Sequence, residues 1–399
     1  MLSQECETLS GAFTLQTIRA AEFPSLLPAL AQSRRPQPLM HNIEWLQEHC
    51  KTNLANLGAF VLLREGNIQG FAPFLQQDRK LRCYMGEINY LSFGLRCLRF
   101  MGLPDMPEDK EAWDSLFEAA LAQAPDGLYL EAVPLDSYLW NHLRTSPRLS
   151  HLIQHPTDNP AEHFVISLPE SYEAYMAKFS SKTRNTLQRR VRKLEKDTDG
   201  KLRLERITSP DKVGHFVQNA VAISKKTYQW HLLGLGLRDP EKLFSQLSFL
   251  AERGWLRCYL LWCGDTPTAF MICHQYRGVC LYIDVGFDPD WTSHSPGTVL
   301  HLLVLQDLFV FDRPALFDFG RGAGEHKRQF GNESYRDVDL YLLKPGARTR
   351  FACMAQHGSG VVSGAVTRSL DRLGVKRALK KLLRRASVKA SPTQEERGD

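Results

Sequence analysis

Residues 256–310 read LRCYLLWCGDTPTAFMICHQYRGVCLYIDVGFDPDWTSHSPGTVLHLLVLQDLFV, and this stretch decides the fold. It contains strand-like apolar runs at Leu256–Cys263, Thr268–Gln275 and Val279–Val285, with turn residues between them. We expect them to be consecutive antiparallel strands. The run Thr298–Val310 that follows is long and apolar, which predicts a helix of the buried type.

The tripeptide Ser295-Pro296-Gly297 joins the last of these strands to the helix. A helix that starts directly after a strand and loop directs free backbone N–H groups, and the positive end of its dipole, at an anion. The first residue, Ser295, and the first helical residue, Thr298, each have a hydroxyl that can bind a phosphate. The same tripeptide is also compatible with an ordinary helix start with proline in its first turn.

A second candidate site follows the helix, in the segment Phe317-Asp318-Phe319-Gly320-Arg321-Gly322. The segment Ala315–Phe319 is predicted to be a short strand, so Asp318 is either a buried structural acceptor or a polar group at a strand end, where sites gather. The residues Glu325, His326 and Lys327 come directly after it. A glycine-rich turn with solvated charges is the alternative interpretation.

A basic run from Lys182 to Lys193 precedes the three strands in the chain. Its apolar positions Leu187, Val191 and Leu194 have helical spacing, so cationic side chains occupy the rest of the helix surface. Such a surface could bind CoA phosphates, an anionic saccharide or RNA, or be merely solvated.

The chain outside these motifs is predicted to contain two α/β regions and a basic tail. The turn-rich segment from His155 to Pro160 predicts a boundary, which gives residues 1–158, 159–345 and 346–399 as three regions. The second region begins with a strand at Phe164–Leu168 and a long helical stretch at Ser171–Glu195. In the third region, residues 369–385 have the pattern of a basic amphipathic helix, and we expect the remaining tail to be disordered.

Composition points to a globular protein of the cytoplasm. Hydrophobic residues make up 43% and charged residues 24% of the 399 residues, with a formal net charge of +6. No run reaches the roughly 20 apolar residues that cross a bilayer, and the N-terminus lacks the pattern of a signal peptide. The 9 cysteines contain no C-x-x-C pair, so we expect reduced thiols and no metal site.

Several of these motifs together resemble a known family. Those that carry the resemblance are the basic helix with Ser180-Ser181-Lys182-x-Arg184, the segment Tyr282–Pro289 with Ser295-Pro296-Gly297, and Asp318-Phe-Gly-Arg-Gly with Lys327. They are similar to the GNAT-type acetyltransferase domain of proteins named for cellulose biosynthesis (CelD/BcsL type). The resemblance covers about Phe164 to Lys344 and extends more loosely over the N-terminal half. Members of this family are similar to Fem-type proteins. The resemblance therefore implies an α/β (α+β) fold of tandem GNAT-like units, each a mixed, mostly antiparallel sheet flanked by helices.

The resemblance implies an acyltransferase that uses acetyl-CoA or another acyl-CoA as co-substrate, with no metal. The acceptor would be an amine or hydroxyl of a small molecule, a saccharide or a cell-envelope precursor. The expected general base is Asp318, with Asp284, Glu325 and His326 as rivals. We expect the CoA contacts at Ser295, Gly297, Thr298, Arg321 and Lys327, and the acceptor contacts at Arg184, Tyr282 and His274.

Two alternatives remain open from the sequence. One is an aminoacyl-tRNA-dependent transferase of the Fem type, although nucleic acid is otherwise not expected as a partner. The other is a non-catalytic module of the same fold, whose helix at 369–385 docks on an anionic membrane or an acidic partner at the inner face of the membrane.

Overall fold

The structure is a computed structural model that describes residues 6–8, 13–26, 37–85, 88–157, 159–227, 230, 236–322 and 324–372. Its strands are β1 (Cys6–Thr8), β2 (Thr14–Arg19), β3 (Leu57–Arg64), β4 (Asn67–Met85), β5 (Ile88–Phe100), β6 (Gly127–Pro134), β7 (Ile153–Pro156), β8 (Ala161–Ser167), β9 (Leu202–Ile207), β10 (Leu256–Cys263), β11 (Thr266–Tyr276), β12 (Val279–Phe287), β13 (Leu316–Arg321) and β14 (Glu333–Leu343). Its α-helices are α1 (Ile43–His49), α2 (Lys110–Gln123), α3 (Tyr138–Thr145), α4 (Tyr172–Met176), α5 (Ser181–Asp197), α6 (Val213–Lys226), α7 (Pro240–Glu252), α8 (Pro296–Val310), α9 (Glu325–Phe330) and α10 (Ala347–Arg372).

The chain divides into two compact units. Unit 1 contains Met1–Ala31, Ile43–Pro160 and Val338–Asp399, and unit 2 contains Gln32–Asn42 and Ala161–Asp337. The division after Pro160 falls where the turn-rich segment ends. The chain then returns to unit 1 within β14. The second half of this strand, which was expected in the second region, therefore belongs to unit 1, as does helix α10 from the third region.

Unit 1 is a mixed sheet with helices on it. Its strand order is β1-β2-β3-β4-β5-β6-β14, with β7 paired to β14, and β5 runs parallel to β6. Helix α2 buries Trp113, Leu116 and Phe117 in a core with strand residues such as Phe100 and Leu128. Because successive strand residues point to opposite faces, the sheet has a second apolar side, which packs against helix α10.

Unit 2 has the strand order β14-β8-β13-β12-β11-β10-β9, and β12 runs parallel to β13. Helices α5 and α8 contribute Leu187, Leu194 and Leu305 to a core on one face, which we call the α8 face. Helix α6 packs on the opposite face, where Phe216 meets Phe270 of β11 at a ring-centroid distance of 6.5 Å. We call this the α6 face.

The predicted antiparallel strands and the buried helix are present as β10, β11, β12 and α8, with ends that differ by a few residues. The single long helix predicted over residues 171–195 was wrong. The structure has two helices there, because the Ser180 hydroxyl caps α5 by accepting a hydrogen bond from the Thr183 N–H at 3.2 Å.

The predicted basic helix at 369–385 lies almost entirely outside the described residues, as does the tail after it. Helix α10 reaches only Arg372 in the part of the chain that the structure describes. In that part, no helix combines the length and the hydropathy that a membrane span requires.

Helix α8 should contribute strongly to the stability of unit 2. Leu308 is fully buried, and replacing it with alanine should lower the free energy of unfolding by about 2–5 kcal/mol through lost burial and a cavity. Val310 of the same helix is 69% exposed, so Val310→Ala should cost less than about 0.5 kcal/mol. Urea unfolding measures both, and equal losses would contradict the packing described for α8.

Candidate functional site

Helix α8 begins without a side-chain cap. Its N-cap residue Ser295 has left-handed backbone angles (φ 52°, ψ 51°), and its hydroxyl makes no capping hydrogen bond. The N–H groups of Thr298 and Val299 donate to the Ser295 carbonyl at 3.0 and 3.2 Å. Proline at the next position has no N–H, and the Gly297 N–H has no hydrogen-bond partner among the described residues. The helix start therefore keeps a backbone donor and the positive end of its dipole for an anion.

An arginine lies against this helix start. The guanidinium of Arg190, on α5, donates to the hydroxyl of Thr298 at 3.3 Å. Helix α5 is anchored by Leu187 and Leu194 in the core, which fixes the side of the helix from which Arg190 projects. A cation, a hydroxyl and a backbone N–H thus meet at one point, which is the set of donors that a phosphate group binds.

The parallel strands β12 and β13 part close to this point. The parallel pairing is recorded at three positions, which end at Leu281 and Asp318, although β12 continues to Phe287. In β12, Asp284 pairs with Ile272 and Tyr282 with Cys273, so Ile283 is an extra, bulged residue that is 52% exposed. Beyond this point the two strands are no longer paired with each other, and we call the place where they separate the opening.

Aromatic residues line the α8 face of this opening. The ring of His301, on α8, lies 5.6 Å from Tyr282 of β12, 6.1 Å from Phe319 of β13 and 5.1 Å from His326 of α9. The Tyr282 hydroxyl and Nε2 of His326 are 3.4 Å apart. Burial lowers the pKa of both histidines, to about 4 for His301, so both rings are neutral at physiological pH.

Asp284 lies on the other face. Because Met271 and Cys273 pack in the α8-side core, their neighbour Ile272 and its cross-strand partner Asp284 point to the α6 face. The Asp284 carboxylate accepts a hydrogen bond from the Val285 N–H at 2.8 Å. Burial raises the pKa of Asp284 above its ordinary 3.8, and this hydrogen bond opposes the rise.

Asp318 is part of a buried charge network in unit 2. The imidazole of His163 bonds Asp318 through Nε2 and Asp337 through Nδ1, both at 2.7 Å, and stacks on Tyr335. Asp318 also accepts from the Gly320 N–H at 2.6 Å, while the second oxygen of Asp337 pairs with the Arg321 guanidinium. Two carboxylates and two cations thus balance one another.

The structure therefore does not place Asp318 beside the start of α8. Its neighbours Phe317 and Phe319 point into the α8-side core, so Asp318 itself points to the α6 face. It shares that face with Asp284, because its strand partner Leu281 has the same orientation.

The remaining predicted residues have mostly local contacts. Lys327 donates to the Gly320 and Arg321 carbonyls at 3.3 and 2.7 Å, and burial lowers the pKa of its ammonium, opposed by Asp318. Arg184 donates to the Phe179 carbonyl at 2.8 Å and to the Ser181 hydroxyl.

Glu325 is exposed in the first turn of α9. His274 is buried, with a pKa lowered to about 4 by burial, and it points to the opposite side of β11 from Cys273. The structure thus brings Gly297, Thr298, Tyr282 and His326 together around the opening, with Asp284 on its other face. It does not bring Arg184 or Glu325 to this point. No group of three or more His, Cys, Asp or Glu residues is placed to hold a metal in the described part of the chain.

Three residues of the site were missed by the sequence analysis as individual residues. Arg190 was one cation among several in the basic run, and only the packing of α5 distinguishes it. His301 follows Gly297 by four residues, a spacing that places both on one helix face and could have indicated it. No local signal marks His163, because its partners are distant in the sequence.

Unit 1 has the same order of elements but a different helix start. Its parallel strands β5 and β6 are connected by helix α2, as β12 and β13 are connected by α8. The N-cap of α2 is Asp109, whose carboxylate accepts from the Ala112 N–H at 2.9 Å. Glu108 and Glu111 flank the cap. Carboxylates already occupy this position, so the start of α2 repels an anion that the start of α8 attracts.

Comparison with known proteins agrees with this geometry. Residues 181–328 match the family model described as an acetyltransferase (GNAT) domain. This part of the chain is therefore similar to GNAT acetyltransferase domains. No curated protein matches the sequence.

Solved structures extend the likeness over both units. The chain is similar to FemX, with a TM-score of 0.55 and 13% identity over 82% of this chain and 96% of that chain. It is also similar to a conserved protein of unknown function from Bacteroides thetaiotaomicron, with a TM-score of 0.52 and 10% identity over 85% of this chain and all of the other. A tandem GNAT protein from the clavulanic acid biosynthesis pathway matches with a TM-score of 0.43 and 14% identity, over 84% and 99% of the two chains. At these identities the likeness concerns the fold alone, which is mixed α/β with a mostly antiparallel sheet.

The residues around α8 fit acetyl-CoA, the co-substrate that a GNAT domain implies. Gly297, Thr298 and Arg190 offer donors for a pyrophosphate. In addition, Nε2 of His301 is buried and has no hydrogen-bond partner among the described residues, so the site retains a polar atom that a ligand can pair with.

The network around His163 predicts a pH dependence of stability. Burial alone would lower the pKa of His163, but the two carboxylates outweigh it and raise the pKa from 6.5 to about 9. This contribution is fully present below pH 6.5 and is lost as the pH rises through 9. The stability difference between the wild type and His163→Gln should therefore shrink by on the order of 3 kcal/mol over this range.

Chemical unfolding of both proteins at a series of pH values measures this difference. Groups that titrate in both proteins, such as Lys178 with a pKa lowered to about 8 by burial, cancel in the comparison. A difference that stays constant across the range would show that His163 is not a buried imidazolium.

Proposed function

We propose that this chain is an acyltransferase that moves an acetyl or other acyl group from a CoA thioester to an amine or hydroxyl. The acceptor would belong to a small molecule, a saccharide or a cell-envelope precursor. One observation carries the proposal: the uncapped start of α8 meets Arg190 at the point where the parallel strands β12 and β13 part. The matched GNAT domain supports the same class of reaction.

In this proposal, Gly297, Thr298 and Arg190 hold the pyrophosphate of the donor. The backbone N–H of Gly297 and the hydroxyl of Thr298 lie at the positive end of the α8 dipole, and Arg190 adds a full charge. The thioester supplies an activated acyl carbonyl. The aromatic lining at Tyr282 and His326 excludes water from the opening where this carbonyl would lie.

We assign the general base to Asp284 in preference to Asp318. The opening between β12 and β13 connects the α8 face, where the donor is held, to the α6 face, where Asp284 lies beside the bulge. The raised pKa of Asp284 makes it a stronger base than a solvated carboxylate. Asp318, by contrast, already has two partners in the protein, because its Oδ1 is bonded to His163 and accepts from the Gly320 N–H.

Replacing Asp284 with asparagine should lower kcat/KM by on the order of 100- to 10,000-fold, because the acceptor keeps its proton. In the wild type, kcat/KM should rise with pH through the elevated pKa of Asp284, and this rise should be absent from the variant. Thiol release from acetyl-CoA with a panel of amines and alcohols measures both.

Asp265→Asn is the matched control for this experiment, since Asp265 is an exposed turn carboxylate of the same domain. Asp318→Asn should mainly lower stability through the loss of its ion pair with His163. If turnover survives in Asp284→Asn and is lost in a folded Asp318→Asn protein, the assignment of the base is wrong.

Arg190 and Arg192 give a matched pair for donor binding. Arg190→Ala should weaken CoA binding about tenfold or more, because a charge-assisted hydrogen bond to phosphate is lost. Arg192 is exposed on the same helix, so Arg192→Ala should change the affinity much less. Isothermal titration calorimetry with CoA measures both, and equal affinities for the two variants would contradict the placement of the pyrophosphate.

An aminoacyl-tRNA-dependent transferase is a second candidate. The exposed cations of α5 favour it because they form a surface that could follow a nucleic-acid backbone. They are Lys182, Arg189, Arg192, Lys193 and Lys196. Retention of tRNA and of CoA should be compared at two salt concentrations. We expect CoA to be retained at both, whereas tight tRNA binding that falls steeply with salt would favour this second candidate.

A further inference from the structure

His301 has a fixed tautomer and an unused acceptor atom. Its Nδ1 lies 2.7 Å from the Gly297 carbonyl oxygen, which can only accept, so Nδ1 carries the proton and donates. The pKa of His301 is lowered to about 4 by burial, so the ring is neutral and Nε2 has a free lone pair. The side chain is only 3% exposed, and Nε2 has no hydrogen-bond partner in the described residues.

The surroundings of His301 explain why this acceptor stays unpaired within the protein. The ring stacks on Phe330 at 5.4 Å with an interplanar angle of 10°, and Tyr282 and Phe319 pack against it. None of these three neighbours donates a hydrogen bond to Nε2. A buried acceptor without a partner is unfavourable, and such atoms in folded proteins usually pair with water or a ligand.

The position of His301 identifies which part of a ligand can reach it. The ring lies one helical turn beyond Gly297, whose N–H is at the proposed pyrophosphate position, and beside Tyr282, which directly precedes the bulge. A donor whose pyrophosphate binds at the start of α8 and whose acyl group lies in the opening must pass this ring. The part of acyl-CoA between those two groups is the pantetheine arm.

Access to Nε2 requires one neighbouring side chain to move, and His326 is suited to it. His326 is only partly buried, and among the residues that the structure describes its side chain makes one hydrogen bond, the 3.4 Å contact with Tyr282. The preceding segment contains Gly320 and Gly322, both at positive φ, where the backbone is least restricted by side chains.

We propose that Nε2 of His301 accepts a hydrogen bond from an amide N–H of the pantetheine arm, after the ring of His326 moves aside. The inference rests on the proposed function and makes it more specific. The arm offers neutral amide donors, which match a neutral acceptor in an aromatic slot.

Calorimetry with two probes tests this role. CoA contains the arm, whereas adenosine bisphosphate, its nucleotide half, does not. His301→Phe keeps an aromatic ring against Phe330 and removes the acceptor. We expect this variant to bind CoA about threefold to tenfold more weakly than the wild type, and to bind the bisphosphate with unchanged affinity. His301→Gln, which returns an acceptor oxygen, should recover part of the loss.

A measurement on the wild type does not depend on the folding of any variant. In nitrogen NMR, the Nε2 resonance of His301 should shift when its lone pair accepts a hydrogen bond from added CoA. The bisphosphate should leave this resonance unchanged.

The outcomes distinguish a failure of the acyltransferase proposal from a failure of the role of His301. Wild-type protein that binds neither probe overturns the proposed function, and the role of His301 with it. Binding of CoA with equal affinity by the wild type and His301→Phe, or equal weakening of both probes, overturns the role of His301 and leaves the acyltransferase proposal in place. An unchanged Nε2 resonance in CoA-saturated protein overturns the hydrogen bond directly.

Discussion

The early end of the pairing between two parallel strands is the constraint on which the candidate site depends. The pairing of β12 with β13 ends at Leu281 and Asp318. Beyond these residues β12 pairs only with β11, and β13 pairs only with β8. Each of the two strands has a register shift against its antiparallel neighbour close to this point, at Ile283 in β12 and between Asp318 and Arg321 in β13. An extra residue in a strand bends it away from its partner. The sheet therefore opens next to the first turn of α8, and groups from its two faces can approach one gap.

The contrast between the two units shows that this arrangement alone does not make an anion site. Unit 1 also joins two parallel strands by a helix. There the carboxylate of Asp109 takes the place of an external anion at the helix start, and further acids surround it. In unit 2 the N-cap residue Ser295 has left-handed backbone angles and makes no capping hydrogen bond, and Arg190 donates to the hydroxyl of Thr298. Local side chains, and not the topology, decide which unit can bind a phosphorylated donor.

The sequence predicted the elements of unit 2 well because its apolar runs are separated by clear turns. The strands of unit 1 are harder to predict, and β4 (Asn67–Met85) shows the reason. Its second half contains Gln76 to Lys80, and such polar residues carry no strand signal until the partner strand is known.

The site was predicted less completely for a similar reason. Asp318 stood out between two phenylalanines, but the sequence could not show that His163, far away along the chain, already binds it. Asp284 was named only as a rival to Asp318, and His301 was not named, because both lie in apolar runs. The role of Asp284 depends on the side of the sheet to which its side chain points. The bulged residue Ile283 reverses that side for the residues that follow it, and the sequence does not reveal the bulge.

Strand β14 is divided between the units, with residues up to Asp337 in unit 2 and those from Val338 in unit 1. Leu340 and Leu342 belong to the main core of unit 1, and β14 is the strand next to β6. On the ribosome, the first 160 residues therefore emerge without the strand that completes their sheet, and β6 remains an unpaired edge until nearly all of unit 2 has been synthesised. Unit 1 therefore cannot complete its sheet until most of unit 2, which holds the candidate site, has been synthesised. A chain that ends within unit 2 would leave unit 1 incompletely folded.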